Sequence, residues 1–133
     1  MPAESSTELI KKLGIKPGYS ICILNEPENY WDWLAPLPDD LVVKGRGKEF
    51  DFVHWFVKER SAFQKEFAKR RDMLKKSGML WVSWPKKVSK VTTDLDENII
   101  RDFALKNGLV DVKVCSVNEI WSGLKLVYRL ADR

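Results

Sequence analysis

Polar and charged side chains follow three apolar runs of strand length. Asn25 and Glu26 follow YSICIL, Arg60 and Ser61 come shortly after FDFVHWFV, and Trp84, Lys86 and Lys87 end or follow MLWVSW. Arg60 and Lys86 carry the charge needed to hold a phosphate or carboxylate, and a helix that begins near Arg60 would add backbone amide donors. If the fold brings the three groups to one edge, these residue types predict a binding site for an anionic ligand.

No catalytic residue and no metal ligand are predicted. The chain has one histidine, His54, and it lies inside the second apolar run. A single histidine in a buried strand favours a packed, hydrogen-bonded core residue over a general base. No nucleophile motif connects it to a Ser, Asp or Cys, and the other ligands of a metal site are lacking. Cys22 and Cys115 lie in apolar runs, and both are predicted to stay reduced and inert.

Two weaker motifs have more ordinary interpretations. Trp31 and Trp33 could stack a planar ligand, but paired aromatic residues on a short helix are more often part of the core or a lid. Gly45 and Gly47 form a G-x-G that could belong to a phosphate loop, but it follows a weak strand and opens no clear helix. We interpret it as a flexible turn.

Apolar periodicity and turn residues predict alternating strands and helices. Strands are predicted at Tyr19–Leu24, Leu41–Lys44, Phe50–Val57, Met79–Trp84, Leu109–Val117 and Leu124–Leu130. Helices are predicted at Glu4–Leu13, Asn29–Leu34, Lys58–Ser77 (ended by Gly78) and Thr93–Asn107. Right-handed crossovers then give a three-layer α/β sandwich with strand order 2-1-3-4-6-5, in which the last strand is antiparallel. The topological switch point then lies between strands one and three, and the three groups of polar residues are expected to converge at that edge of the sheet.

Length and composition predict one globular domain that spans residues 1–133. The 133 residues are 44% hydrophobic and 11% aromatic, enough for a single core. The stretch Met1–Lys12 has no apolar centre of the signal-peptide type, and no run approaches the roughly 20 apolar residues of a membrane span. We therefore expect a cytoplasmic protein without a membrane partner. Its oligomeric state does not follow from the sequence.

Much of the net charge of +4 is local. The segment 58–76 holds eight basic and three acidic residues. A solvated helix face is the preferred interpretation, because acidic residues interrupt the basic ones and nucleic-acid binding needs a continuous basic stripe. Within the predicted apolar stripe of this helix, Arg70 is interpreted as an aliphatic stem whose charged head reaches water.

The motifs together resemble a known family. LGIKPGYSICIL, over Leu13–Leu24, looks like the start of a Rossmann-like methyltransferase domain. LGIKPG, LWVSWPKK, GLVDVKVC and WSGLKLV as a set resemble a bacterial domain-of-unknown-function (DUF) family of short chains. The resemblance implies a truncated methyltransferase fold and brings no established activity with it.

The chain departs from the methyltransferase pattern at two positions. The turn after the first strand reads Asn25, Glu26, Pro27, Glu28, without the glycines that let backbone approach the cofactor. Lys44 stands where an acidic residue would bind the ribose hydroxyls. No cofactor is therefore predicted, although S-adenosylmethionine stays possible.

Three functions remain open at this point. The preferred hypothesis is a degenerate methyltransferase-like module that binds an anionic small molecule or a protein partner without catalysis. The alternative is an enzyme with a non-standard S-adenosylmethionine or nucleotide pocket around Asn25 and Glu26. Nucleic-acid binding through the basic helix 58–76 and the loop Lys86–Lys90 ranks below both.

Overall fold

The computed structural model describes residues 9–133, which form one six-stranded sheet. The strands are β1 (Ser20–Leu24), β2 (Val42–Val43), β3 (Phe50–Phe56), β4 (Leu74–Pro85), β5 (Leu109–Ser116) and β6 (Trp121–Tyr128). Their order is β2-β1-β3-β4-β6-β5, and β6 runs antiparallel to both of its neighbours. The predicted strand order and the orientation of the last strand are confirmed.

Helices cover both faces of the sheet. They are α1 (residues 9–13), α2 (Tyr30–Leu34), α3 (Arg60–Arg71) and α4 (Glu97–Lys106). One core lies between the sheet and α3 and α4, and the other between the sheet and α1 and α2. This is the predicted three-layer α/β sandwich. Positions 4–8 of the first predicted helix lie outside the described residues. In the described part of the chain, no helix is long and apolar enough to cross a membrane.

The two central strands owe their position to continuous apolar sequence. In β1, Ile21, Cys22 and Ile23 are buried, and in β3 every residue except Asp51 is buried. A strand in a parallel sheet has helices on both faces, so apolar side chains are favoured at successive positions. The flanking helices supply Leu13 and Phe63 to the two cores.

Helix α3 is shorter than the sequence predicted. It ends at Arg71, and β4 begins at Leu74 instead of Met79. Leu74 pairs with Phe50, and an irregularity then separates this pair from the regular ladder that starts at Met79. Gly78 does not end the helix but lies in the irregular stretch, where a Cβ atom would be 2.6 Å from the carbonyl oxygen of Phe50. Backbone packing therefore requires this glycine.

The connection from β2 to β3 contains no helix. The predicted strand Leu41–Lys44 shrinks to two residues, which pair with Ser20 and Ile21 near the start of β1. Because β2 ends so early, residues 44–49 suffice to cross β1 and enter β3. Parallel strands usually need a crossover of a dozen or more residues, most often a helix. The layer that contains α3 is thus left open beside β1.

Two further boundaries differ from the predictions. Helix α4 begins after Asp96, whose carboxylate accepts a hydrogen bond from the Ile99 amide at 2.8 Å, so Thr93 lies outside the helix. Strand β6 begins at Trp121 and not at Leu124. The side-chain oxygen of Asn118 accepts hydrogen bonds from the backbone of Ile120 and Trp121, which tightens the hairpin turn and lengthens the strand.

Candidate functional site

A cavity of about 380 Å³ opens at the carboxyl ends of β1 and β3. Open α/β sheets bind ligands at this edge, beside the topological switch point. We call it the carboxyl-edge cavity; its lining residues are Asn25, Pro27, Phe56, Val57, Lys58, Glu59, Ala62 and Trp121. Its volume lies in the range of small-molecule sites.

Asn25 closes the β1 side of this cavity. Its backbone is left-handed, with φ of 58°, and its side-chain amide donates to the carbonyl oxygen of Phe56 at 3.1 Å. Asn29 is also left-handed, with φ of 66°. Asparagine tolerates this conformation better than most residues, so the turn forms without the glycines that the methyltransferase pattern would supply.

Glu26 is exposed and does not line the cavity. Its carboxylate accepts a hydrogen bond from the indole nitrogen of Trp31 at 2.8 Å. Trp31 and Trp33 each meet the buried ring of Tyr30 edge-on and pack against the core on the α2 face. The interpretation of both tryptophans as packing residues is confirmed.

The second group of predicted residues lies at the start of α3. The Arg60 amide donates to the carboxylate of Asp94 at 2.6 Å, and the side chains of Arg60 and Ser61 are exposed. The residues just before them, Lys58 and Glu59, line the cavity instead. The predicted group therefore lies at the expected edge of the sheet, but the residues that line the cavity precede Arg60 and Ser61 by two positions.

The third group lies away from the cavity. Trp84 is buried in the core beneath α3 and α4. The ammonium group of Lys86 donates to the hydroxyl of Ser116 at 2.6 Å, at the end of β5 on the outer side of the sheet. Lys87 is exposed in a short 3₁₀ turn, Lys87–Ser89. Neither lysine lines the carboxyl-edge cavity.

Sequence reasoning missed Trp121 and Ala62. Trp121 reaches the cavity because it pairs with Pro85 at the carboxyl end of β4. The length of the hairpin turn decides that register, and a strand predicted from Leu124 placed the tryptophan outside the sheet. Ala62 lies three residues after Glu59, and residues at this spacing share one face of a helix. If Glu59 had been predicted to line the site, Ala62 could have been predicted with it.

His54 lies at the centre of a buried polar network away from the cavity. Its Nδ1 is 2.8 Å from the hydroxyl of Tyr30, and its Nε2 is 2.8 Å from the hydroxyl of Ser83. All three side chains are buried, and burial lowers the pKa of His54 to about 3. Burial likewise raises the pKa of Tyr30. The interpretation of His54 as a hydrogen-bonded core residue is confirmed.

In the described part of the chain, acidic, histidine and cysteine side chains do not gather into a metal site. Within residues 9–133, no three such residues are close enough to hold an ion.

Comparison with known proteins gives a consistent result at the level of the fold. No protein-family model matches the sequence, and no curated protein matches it either. The resemblance to a family of unknown function therefore stays a prediction. Solved structures do match, and those described next are methyltransferases.

Three of these structures illustrate the likeness. The magnesium protoporphyrin IX methyltransferase ChlM from Synechocystis PCC 6803, with bound SAH, is 13% identical, with a TM-score of 0.64 over 96% of this chain and 83% of its own. A TehB-like SAM-dependent methyltransferase from Corynebacterium glutamicum is 10% identical, with a TM-score of 0.56 over 94% and 88%. The tRNA methyltransferase TrmK of B. subtilis is 9% identical, with a TM-score of 0.62 over 96% and 66%.

The chain thus has the Rossmann-like fold of SAM-dependent methyltransferases. The prediction of a degenerate binding module without catalysis is wrong on this comparison, because the three structures described above are methyltransferases and the likeness extends over nearly the whole chain. The sequence left catalysis uncertain with a leaning against it, and this comparison counts against that leaning. It favours the alternative, an enzyme with a non-standard pocket.

The acidic residue that the methyltransferase pattern places at the end of β2 is nevertheless absent from this position, where the chain has Lys44. Strand β2 ends level with Ile21, and Lys44 after it is exposed. None of residues 44–49, which connect β2 to β3, lines the carboxyl-edge cavity. A carboxylate that binds ribose hydroxyls from the end of β2 is therefore not part of this site, and Glu59 is the carboxylate that lines it.

Proposed function

We propose that the protein is a methyltransferase that binds S-adenosylmethionine in the carboxyl-edge cavity through a non-standard set of contacts. The position of the cavity supports this proposal most directly. It lies at the carboxyl ends of β1 and β3, next to the switch point, in a fold shared with SAM-dependent methyltransferases.

The side chains of the cavity suit the chemistry of this cofactor. S-adenosylmethionine combines a flat adenine ring, ribose hydroxyls and a charged amino-acid end. Phe56 and Trp121 line the cavity with aromatic rings. The carboxylate of Glu59 can accept hydrogen bonds from hydroxyl or ammonium groups, and the ammonium group of Lys58 can pair with a carboxylate. When bound, the cofactor supplies a methyl group that an acceptor nucleophile can attack.

The proposed contacts to the cofactor differ from the usual methyltransferase contacts in the position of the acidic residue, which follows β3 instead of β2. Glu59 follows β3 and is the N-cap residue of α3, where its side chain makes no capping hydrogen bond. Its carboxylate is therefore available to a ligand without loss of helix stability. Asn25 keeps the β1 turn closed through its bond to Phe56, so the cavity wall does not depend on glycine.

Calorimetry with S-adenosylmethionine and S-adenosylhomocysteine tests the proposal. We expect saturable binding, and we expect Glu59→Gln to weaken it about tenfold through loss of a charge-assisted hydrogen bond. Glu28→Gln is the matched control, because Glu28 is exposed near the same edge and does not line the cavity. The absence of binding by the native protein, or equal weakening by both variants, would contradict the proposal.

A second pair of variants tests the place of binding without changing charge. Ala62 lines the cavity at the start of α3, whereas Ala68 is exposed on the same helix. Ala62→Leu fills part of the cavity and should abolish cofactor binding, while Ala68→Leu should leave it unchanged. Retained binding in Ala62→Leu would place the cofactor elsewhere.

A further inference from the structure

A second cavity, of about 520 Å³, lies on the α3 side of the sheet. The helix-free connection between β2 and β3 leaves this space beside β1. Its walls are Leu24 of β1, residues 45–48 of the connection, and the last turn and exit of α3. We call it the crossover cavity. Among the described residues it has no lining residue in common with the carboxyl-edge cavity.

The lining of the crossover cavity is strongly basic. It includes Arg46, Lys48, Lys69 and Arg70 against a single acidic residue, Asp72. The carboxylate of Asp72 already accepts a hydrogen bond from Arg71 at 3.0 Å. Arg70 is paired with Glu66, so among the described lining residues Arg46, Lys48 and Lys69 are the basic side chains whose charge is least balanced. A concave space with such a lining attracts anions.

Arg70 contributes a charge that is mostly removed from water. Its side chain is only 15% exposed, and its guanidinium lies 5.7 Å from the ring centre of Trp55. Only a small part of this side chain reaches water, less than the expected exposure of its head, because β3 and the contact with Glu66 cover most of it.

The hydrogen-bond donors of Arg70 are only partly used. Nη2 donates to Glu66 at 2.5 Å, Nη1 is 4.0 Å from the thioether sulfur of Met73, and the buried Nε has no hydrogen-bond partner among residues 9–133. A buried guanidinium normally satisfies its donors, since an unpaired buried donor costs free energy. Glu66 balances the charge of Arg70, and an anion in the adjoining cavity would supply a further hydrogen-bond acceptor for the guanidinium.

The connecting segment adds a backbone feature. It reads Gly45, Arg46, Gly47, Lys48, and Gly47 has φ of 127°, a conformation that side chains other than glycine rarely adopt. Without side chains at Gly45 and Gly47, a ligand can approach the backbone amides closely. The G-x-G motif that was interpreted as a flexible turn thus forms one wall of a basic cavity.

We propose that the crossover cavity binds the phosphate group of a small phosphorylated molecule. Arginine and lysine side chains around a glycine-flanked loop are the donors that recognise phosphate oxygens. A small molecule is the occupant because the basic groups surround a cavity of ligand size instead of forming an extended stripe. This site is separate from the proposed methyl-donor site, and its test does not depend on that function.

NMR titration of the full chain tests the proposal. The probes are inorganic phosphate, pyrophosphate, adenosine monophosphate and glucose 6-phosphate, so that the phosphate group is separated from the rest of the molecule. We expect saturable shifts of the Gly45 and Gly47 amides with every phosphate probe, and a weaker effect at higher salt. Shifts confined to the carboxyl-edge cavity, or no saturation with any probe, would overturn the proposal.

Matched double variants supply the second readout. Arg46→Gln with Lys69→Gln removes two charges from the cavity, and Lys11→Gln with Lys65→Gln removes two exposed charges outside it. We expect the first pair to weaken phosphate binding at least about tenfold and the second pair to leave it within about twofold. Equal weakening by both pairs, or tighter binding of an RNA oligonucleotide than of every small probe, would overturn the proposal in favour of a general basic surface.

Discussion

The imidazole of His54 and the hydroxyl of Ser83 meet at 2.8 Å between the adjacent strands β3 and β4, where neither side chain is exposed. On its other side the ring contacts the Tyr30 hydroxyl, also at 2.8 Å. A neutral imidazole has one N–H donor and one acceptor nitrogen, so the two hydroxyls must take opposite roles. The network connects α2 to two central strands and uses both polar atoms of the ring.

We predict that this network makes stability depend on pH in a defined window. Burial lowers the pKa of His54 to about 3 from the ordinary value of 6.5. Below pH 6.5 the unfolded chain binds a proton that the folded protein refuses, so stability falls as the pH drops towards 3. From pH 7 to pH 5 the loss should be about 2 kcal/mol. Urea unfolding at these two values measures it.

Direct observation of the ring supplies the control for this prediction. The NMR signals of the His54 imidazole in the folded protein should not titrate between about pH 5 and pH 8. An inflection near pH 6.5 would mean that the ring is protonated in the fold, and the pH dependence would then need another source.

A second prediction concerns Gly78. A methyl group there would lie 2.6 Å from the Phe50 carbonyl oxygen and 3.1 Å from that of Lys75, and both are backbone atoms that cannot turn aside. We expect Gly78→Ala to lower the free energy of unfolding by about 1 to 3 kcal/mol. Gly45→Ala is the control, because no atom of residues 9–133 other than those of its chain neighbours lies within 4 Å of its added methyl group. Equal effects in urea unfolding would contradict the close approach.

The same glycine shows where the sequence misleads. The apolar stripe of α3 continues through Leu74 at helical spacing, and Gly78 stands where a glycine would end the helix. Leu74 instead pairs with Phe50 and starts β4. Tertiary pairing with a strand outweighs local helical periodicity here, and only the partner strand reveals it. By contrast, β1 and β3 were predictable, because continuous apolar sequence permits little besides a buried central strand.

The site was predictable only as an edge of the sheet. Strand order and the switch-point rule led correctly to Asn25. They could not show that Lys86 reaches Ser116 at the far side, or that Trp121 turns towards the cavity, because hairpin register decides both. The crossover cavity exists because no helix lies between β2 and β3, and no motif in the sequence predicts this cavity.

A third prediction concerns the two thiols. Burial raises the pKa of both Cys22 and Cys115, and Cys22 is buried whereas Cys115 is partly exposed. Since the thiolate is the reactive form, both should react slowly in the folded protein near pH 8, and Cys22 more slowly than Cys115. Mass spectrometry after brief exposure to iodoacetamide, with and without urea, measures this. Rapid labelling of Cys22 in the folded protein would contradict its position in the core.

The last prediction is that Arg70→Met leaves the free energy of unfolding within about 1 kcal/mol of the native value. Methionine keeps apolar contact with Trp55 and removes a buried unpaired donor that costs about 1 to 3 kcal/mol. The losses are a partly desolvated cation–π contact of about 0.5 to 2 kcal/mol and a half-exposed ion pair with Glu66 of at most about 1 kcal/mol. These terms nearly cancel.

Arg71→Met is the control. The Arg71 guanidinium donates to Asp72 and to the Asn107 carbonyl oxygen, so Arg71→Met should be more destabilising than Arg70→Met. Urea unfolding of both variants decides the matter: a loss above about 2 kcal/mol for Arg70→Met alone would show that the arginine is held by the fold and is not kept for an anion in the crossover cavity.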